Sequence, residues 1–564
     1  MAGWWVGPGP AGPPGHLVPR WLFLRALGII YFSAFYSLLF QIRGMLGPQG
    51  LLPAGSYLQE VAKAMGRARY WYAPTLLWFA SGNRALMLLC WIGLLAAVLL
   101  ISNLFPRAML AVCFVCFLSF VAAAQDFSGY QSDGMLLGAG FICYFLAPRG
   151  CRPGLGEQEP PARAPLFLLR LLWFTIYFES GVAKYFGGDP TWRDLSAMNE
   201  YFQNSPLPTW VGWYAHQLPR WCQQTSAFVT LFLELLVPWM WWLPERARIV
   251  CFFFVTILQI GIILTANYAF LNYLVLALGI FLLHDLFLVR FMPRSCRRAL
   301  QLNLQQPSPG PWYASLLAAL EGANQPISLS LSASGEEASK SVIAENVPHP
   351  EARSTLRSLF EAIAAWTKAF FLAWVFYAMA FLMLRQISPG LPLPATPVTA
   401  LEPFRIANSY GLFGRMTWAR YEIEFQGSND GSNWVAYPFR YKPQDLHEAP
   451  GIYAPYQPRF EWNLWFASLA TWRENRFVIR TEEQLLLGNR DVLALFRSDP
   501  FAKGPPKLLR SVVWQYWFTA GAAKRATGQW WRREFRGLYA PTLGLTSDGR
   551  IMVSEWPQTF IAPP

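Results

Sequence analysis

Residues 177–195 read YFESGVAKYFGGDPTWRDL. The 13 residues ahead of Glu179 are mostly apolar, the pattern of a membrane-spanning helix. A carboxylate, a lysine, a Gly-Gly-Asp-Pro turn and an Arg-Asp pair then arrive between Glu179 and Asp194. Ionisable groups at a membrane boundary are costly, and they mark either a function or an internal pair. The stretch is therefore a catalytic site, an ion-pair clasp or the wet end of a helix.

Composition supports a membrane setting. The chain has 564 residues, 54% hydrophobic and only 14% charged, against about 25% charged in soluble domains. The net charge of +13 does not point to nucleic acid. Its Lys and Arg lie mainly in short loops between apolar runs, and no basic block interleaves with aromatics on a soluble stretch. None of the eight cysteines lies beyond 296. Cys113-x-x-Cys116 sits in LAVCFVCFLSF with no histidine or second pair nearby, so packing is its reading. With five histidines and no Gly-x-Ser-x-Gly, His-Glu-x-x-His or phosphate-loop motif, neither metal nor cofactor is expected. The N-terminus lacks a basic signal-peptide head, so the first helix is expected to insert and stay.

Apolar runs at 21–40, 85–103, 108–124, 134–147, 166–183, 226–243 and 362–384 predict seven spans. Residues 249–283 carry no Asp, Glu, Lys, Arg or His and would make one helix of about 52 Å, too long for a single crossing. TANYAFLN in the middle divides them into two, giving nine. The mixed segment 45–80 predicts an interfacial amphipathic helix. Arginines at 107, 149–163, 246–248 and 290–298 against none in 125–133 and 267–269 place the N-terminus inside; only 41–84 disagrees. That puts 184–225 and everything after the last span outside.

The predicted architecture is a polytopic α-helical membrane bundle of about nine spans followed by a small β-rich α+β soluble domain. Residues 1–300 form the bundle, 301–361 a flexible inner linker, 362–384 the last span and 400–564 the outer domain. ARYEIEFQGSNDGSNWVAYPFRY predicts a hairpin turning at Asn429-Asp430-Gly431, and LLRSVVWQYWF at 508–518 a strand. EEQLLLGNRDVLALFR at 482–497 has helical spacing.

Several residues are candidates for chemistry. Glu179, Lys184 and Glu234 lie in or beside spans, with an ion pair as the plain reading; Asn267, Asn272 and Asp285 are further intramembrane polar groups. A lysine desolvated at such a boundary holds its proton less tightly and can act as a base. Lys184, Asp189, Asp194 and His216 are therefore the catalytic candidates, and Asp189-Pro190 also reads as a helix cap with proline at the first position.

The chain resembles the lipase maturation factor family. The resemblance is carried by GPQGLLPA (47–54), SGVAKYFGGDPTWRDLSAM, YFQNSPLPTWVGWYAHQLP, ELLVPWMWWLPERAR and TANYAFLNYL in the first half. In the second half it rests on IANSYGLFGRMT, IEFQGSNDGSNW, YQPRFEWNLWFASL and GQWWRREFRG. It implies an integral membrane protein, not an enzyme, that helps secreted clients, lipases among them, fold and assemble. The implied setting is the endoplasmic reticulum, or the inner membrane for a bacterial member, with the C-terminal domain extracytoplasmic. Client contacts are then expected at Tyr410, Phe413, Arg415, Trp462, Trp465, Trp530, Trp531, Arg532 and Arg533. Gly138 stands where many members carry Glu, and Tyr441 and Gly451 where vertebrate members have Cys. Those two changes and the absence of any Asn-x-Ser/Thr favour the bacterial setting. The membrane half is also distantly similar to the vitamin K-dependent gamma-carboxylase, in which a Gly-x-x-Lys stretch ending a span supplies a base. Gly181-Val182-Ala183-Lys184 falls at the comparable place, so the alternative is a lipid- or quinol-linked enzyme with Lys184 as base.

Overall fold

A computed structural model describes residues 15–291, 353–546 and 548–557. The described residues begin with α1 (Leu17–Leu39), an amphipathic α2 (Ala54–Met65), α3 (Asn83–Ile101) and α4 (Pro106–Val121). It continues through α5 (Gln131–Leu146), α6 (Arg163–Phe186), α7 (Arg220–Leu235), α8 (Glu245–Thr265) and α9 (Leu271–Gly279). Among the described residues, six helical segments are long and apolar enough to cross a membrane: α1, α3, α6, α7 with its 3-10 extension to Trp242, α8, and residues 362–387 of α10 (Arg353–Ile387). The count of nine is not reached by that measure, because α4 and α5 have 16 residues each and α9 with its 3-10 extension ends at Leu282. Bulky apolar side chains remain exposed along α3 (Leu88, Trp91, Leu95) and α8 (Phe253, Ile257, Ile260), as lipid-facing surfaces require.

Local chemistry accounts for the breaks. Pro106 stands at the first position of α4, where its missing N–H costs nothing. The run 249–283 divides at residues 266–270, as TANYAFLN predicts. The linker expected over 301–361 lies outside the described residues as far as 352; from Arg353 the chain is already helical.

Contacts sort the helix termini into two ends. At one, Arg20 donates to the carbonyls of Leu155, Gly156 and Glu159, and Asp285 caps α1 by accepting from the amides of Leu17 and Val18 at 3.2 and 2.8 Å. At the other, the connections around Arg43, Asp126, Gln203 and Asn267 all touch residues beyond 400.

The C-terminal part is built on a six-stranded antiparallel sheet. Its strands are β1 (Arg420–Ser428), β2 (Val435–Ala436), β3 (Leu508–Phe518), β4 (Trp531–Leu538), β5 (Thr542–Leu545) and β6 (Ile551–Glu555), in the order β2-β1-β3-β5-β6 with β4 also on β3. Arg420 faces Tyr516 and Ser428 faces Leu508, so β1 pairs with β3 along the whole of its own length. All of β1 is buried because α11 (Arg459–Ala467) packs against it and β3 flanks it. α12 (Arg476–Leu486) packs on β3; it starts before the helix predicted at 482–497, which Gly488 interrupts with a left-handed φ of 65°. One hydrophobic core runs through both halves, from Phe23 to Leu543.

Backbone-to-backbone approach joins the halves at α5. A Cβ on Gly138 would lie 2.7 Å from the carbonyl oxygen of Ile406, and one on Gly134 would lie 2.5 Å from Oδ1 of Asn408. The small side of Gly134-x-x-x-Gly138 therefore seats the 406–408 segment, as small residues do at close helix contacts. Gly138→Leu is expected to destabilise the protein by about 1–3 kcal/mol through overpacking. Thermal melting of the purified protein in detergent checks this, with Gly261→Leu, at an open position, as the comparison.

Candidate functional site

The segment 406–417 lies as a strap over the ends of α5 and α6, pinned by polar groups of the bundle. Oε2 of Glu179 accepts from the backbone N–H of Tyr410 at 2.6 Å. Asp189 caps a short helix by accepting from the amide of Thr191 at 2.9 Å, and its second oxygen accepts from the amide of Met416 at 2.6 Å. The indole of Trp192 donates to the carbonyl of Phe413 at 2.9 Å. Gly411 and Gly414 let the strap approach Ala183 closely, where an added Cβ would stand 3.3 and 3.1 Å from its methyl group.

Beneath the strap sits the lysine of the opening stretch. Lys184 is 3% exposed and donates to both carboxylate oxygens of Glu234, at 2.8 and 2.7 Å. Trp192 covers it, with its ring 5.3 Å from the ammonium. Gly181 makes room, since a Cβ there would crowd Leu235 and Glu234. A lysine held by both oxygens of one carboxylate under a closed lid is an ion-pair clasp. The other catalytic candidates lie apart. Asp194 is exposed and caps Ser196, whose hydroxyl and amide bonds hold its carboxyl below the usual range. His216 packs against Phe518 at 5.6 Å, and burial lowers its pKa. No contact among the described residues joins Lys184, Asp194 and His216, and the enzymatic alternative finds no support here. The described residues hold no cluster of three or more metal-ligating side chains.

A second anchor is α11. Residues two apart on a helix are separated by about 200°, so Arg459 and Glu461 face opposite ways. Arg459 is fully buried and reaches across to Asp133 on α5, with two guanidinium–carboxylate bonds of 2.7 Å each; it also lies over the rings of Phe120 and Tyr130. Glu461 turns to its own domain and accepts from the amides of Arg440, Tyr441 and Lys442. Burial pushes its carboxyl up to about 7 in spite of these donors.

Asn267 closes a third contact. Its amide nitrogen donates to the carbonyls of Leu207 and Gly451, and its oxygen accepts from the amides of Tyr453 and Ala454. Asn272 donates to Gln259 between α9 and α8 at 2.7 Å. Tyr441 and a Cβ added at Gly451 both meet the ring of Tyr453, so the positions where the resemblance implies cysteines in vertebrate members converge on one aromatic cluster.

Of the residues expected to touch a client, Tyr410, Trp462, Trp465 and Trp531 are buried and serve the core or the seam. Phe413 is half-buried between Tyr201 and Tyr268, and Trp530 lies under Lys524 beside Trp213. Arg533 pairs with Glu424 at 3.1 Å. Arg415 and Arg532 remain exposed, and so do Trp418 and Phe535, at 58% and 50%. Sequence reasoning missed the seam residues Asp133, Arg420 and Arg459. An aspartate just ahead of a short apolar run and arginines among aromatics were the only local signs.

Fold and seam define a polytopic membrane protein with an extramembrane domain docked on one end of its bundle. Residues 18–290 match the family model for the lipase maturation factor transmembrane domain, and residues 406–541 that for the lipase maturation factor C-terminal domain. The chain is 33% identical to Lipase maturation factor 2 of Gallus gallus and 30% identical to that of Homo sapiens, each over 94% of this chain and 83% of the relative. It is 28% identical to Lipase maturation factor 1 of Bos taurus, over 98% of this chain and 96% of the relative. No solved structure matches it. The chain belongs to the lipase maturation factor family.

Lys184→Met is expected to destabilise the protein by about 3–5 kcal/mol by stranding the Glu234 charge, and Lys184→Met with Glu234→Leu to recover most of that loss. Melting of the single and double variants in detergent checks it. An unrecovered double variant would assign Lys184 a role beyond the pair.

Proposed function

We propose that the protein is a membrane-anchored maturation factor that assists folding and assembly of secreted proteins, lipases by its family. The observation that carries this reading is family membership across both halves, together with a domain fixed rigidly against the bundle end. A client with exposed apolar surface would dock on that domain, and tethering at the membrane would hold its effective concentration high until it pairs. Loop charge supports placing residues 400–564 on the non-cytoplasmic side. That side is the lumen of the endoplasmic reticulum in a eukaryotic host and the periplasm in a bacterial one.

The exposed groups Arg415, Trp418, Arg532 and Phe535 are the proposed client contacts, since aromatic and arginine side chains dominate binding energy at interfaces. In cells secreting a dimeric lipase, Arg532→Glu with Phe535→Ser is expected to cut secreted lipase activity about tenfold or more at unchanged melting temperature of the factor. Trp418→Ser acts in the same direction. Full activity with all three substitutions would sink the assignment of the surface. A tag after Pro564 reachable only from the cytosol would sink the reading itself.

A further inference from the structure

A cleft opens where the last helix meets the segment leading into the strap. It encloses about 330 Å3 between the end of α10, residues 395–409 and the entry to α5. This is the lower end of the range for small-molecule sites, about 300–1,000 Å3. Phe381, Leu382 and Val398 supply an apolar wall, and Arg385, Arg405 and Asn408 supply polar groups. The apolar stretch of α10 ends at Ile387, so the cleft lies where hydrocarbon gives way to headgroups.

Both arginines are available. Arg385 and Arg405 are exposed, and among the described residues neither guanidinium makes a hydrogen bond or an ion pair, although Glu402 lines the same cleft. Arg405 is held at its rim in a left-handed conformation, φ 53°, with its N–H donating to Glu402 O and its carbonyl accepting from Asn408 Nδ2, both at 3.0 Å. A non-glycine residue fixed in that region is strained, and such strain collects at ligand sites. Two guanidinium groups line the cleft with one carboxylate, and Asp133, which also lies within electrostatic reach of Arg405, is already paired with Arg459, so an excess of positive charge remains.

We propose that this cleft holds an anionic phospholipid, its phosphate between Arg385 and Arg405 and an acyl chain along Phe381 and Leu382. Guanidinium groups match phosphate oxygens in pairs of parallel hydrogen bonds. A free phosphate would use the arginines but leave the apolar wall wet. The bound lipid would bridge α10, the strap and α5, whichever client the domain serves.

The test uses the purified full chain in neutral detergent micelles doped with phosphatidylglycerol, with phosphatidylcholine, or with inorganic phosphate as competitor. Native mass spectrometry reads the retained lipid. Phosphatidylglycerol is expected to be retained over phosphatidylcholine. Arg385→Gln and Arg405→Gln should each lower that preference about fivefold, and Glu402→Gln should raise it. Equal retention of the two lipids, a preference surviving both arginine substitutions, or displacement of the lipid by phosphate at equal concentration would overturn the proposal. Should the arginine variants fail to fold, Glu402→Gln decides: a raised preference supports the site and an unchanged one removes it.

Discussion

The architecture depends on a guanidinium that has no water. Arg459 of the C-terminal domain and Asp133 of the bundle are both fully buried, and each is the other's charge partner. Taking either ion out of water alone costs several kcal/mol, and only a well-made pair offsets it. Neither half can therefore close its own surface. The bundle end carries an anion that needs the domain, and the domain carries a cation that needs the bundle.

The same constraint recurs along the seam with weaker groups. Glu179, Asp189 and Asn267 belong to the bundle half, and each satisfies backbone amides of the C-terminal half. Arg420, also buried, gives its guanidinium to Glu422 and to the carbonyls of Gln203, Ser205 and Pro206. Buried polar groups of this kind fix geometry more than they add stability, because mispairing leaves donors and acceptors unmet. A domain so held keeps one orientation to the bilayer, which suits a protein that presents a surface to partners near a membrane. Lys184 and Glu234 fit the same pattern within the bundle, at the floor of the strap.

Much of this was legible in the sequence wherever the signal is local. The strand-like run at 508–518 is a strand with those bounds. The break in 249–283 followed from length, and the Asp189 cap from the Asp-Pro pair. Two short helices, α4 and α5, show the limit of counting apolar runs, since buried helices need not reach the full span length. The seam was not legible, because its partners are far apart in sequence: Arg459 lies 326 residues from Asp133. Several of the aromatic residues expected to meet a client are buried in the core or at the seam. Tyr410, Trp462 and Trp531 look alike as exposed anchors or as core until their neighbours are known: Tyr410 and Trp462 meet Glu179 and Tyr268 of the bundle half, and Trp531 lies under Arg420 of its own domain.

The direct test of the seam is a double-mutant cycle on Asp133 and Arg459, with Asp133→Leu and Arg459→Met, read as protease resistance of the C-terminal domain in intact membranes. Each single variant is predicted to lose about 3–5 kcal/mol and release the domain to cleavage, and the double variant to be resistant again. Additive losses, with the double variant cleaved faster than either single one, would contradict the account.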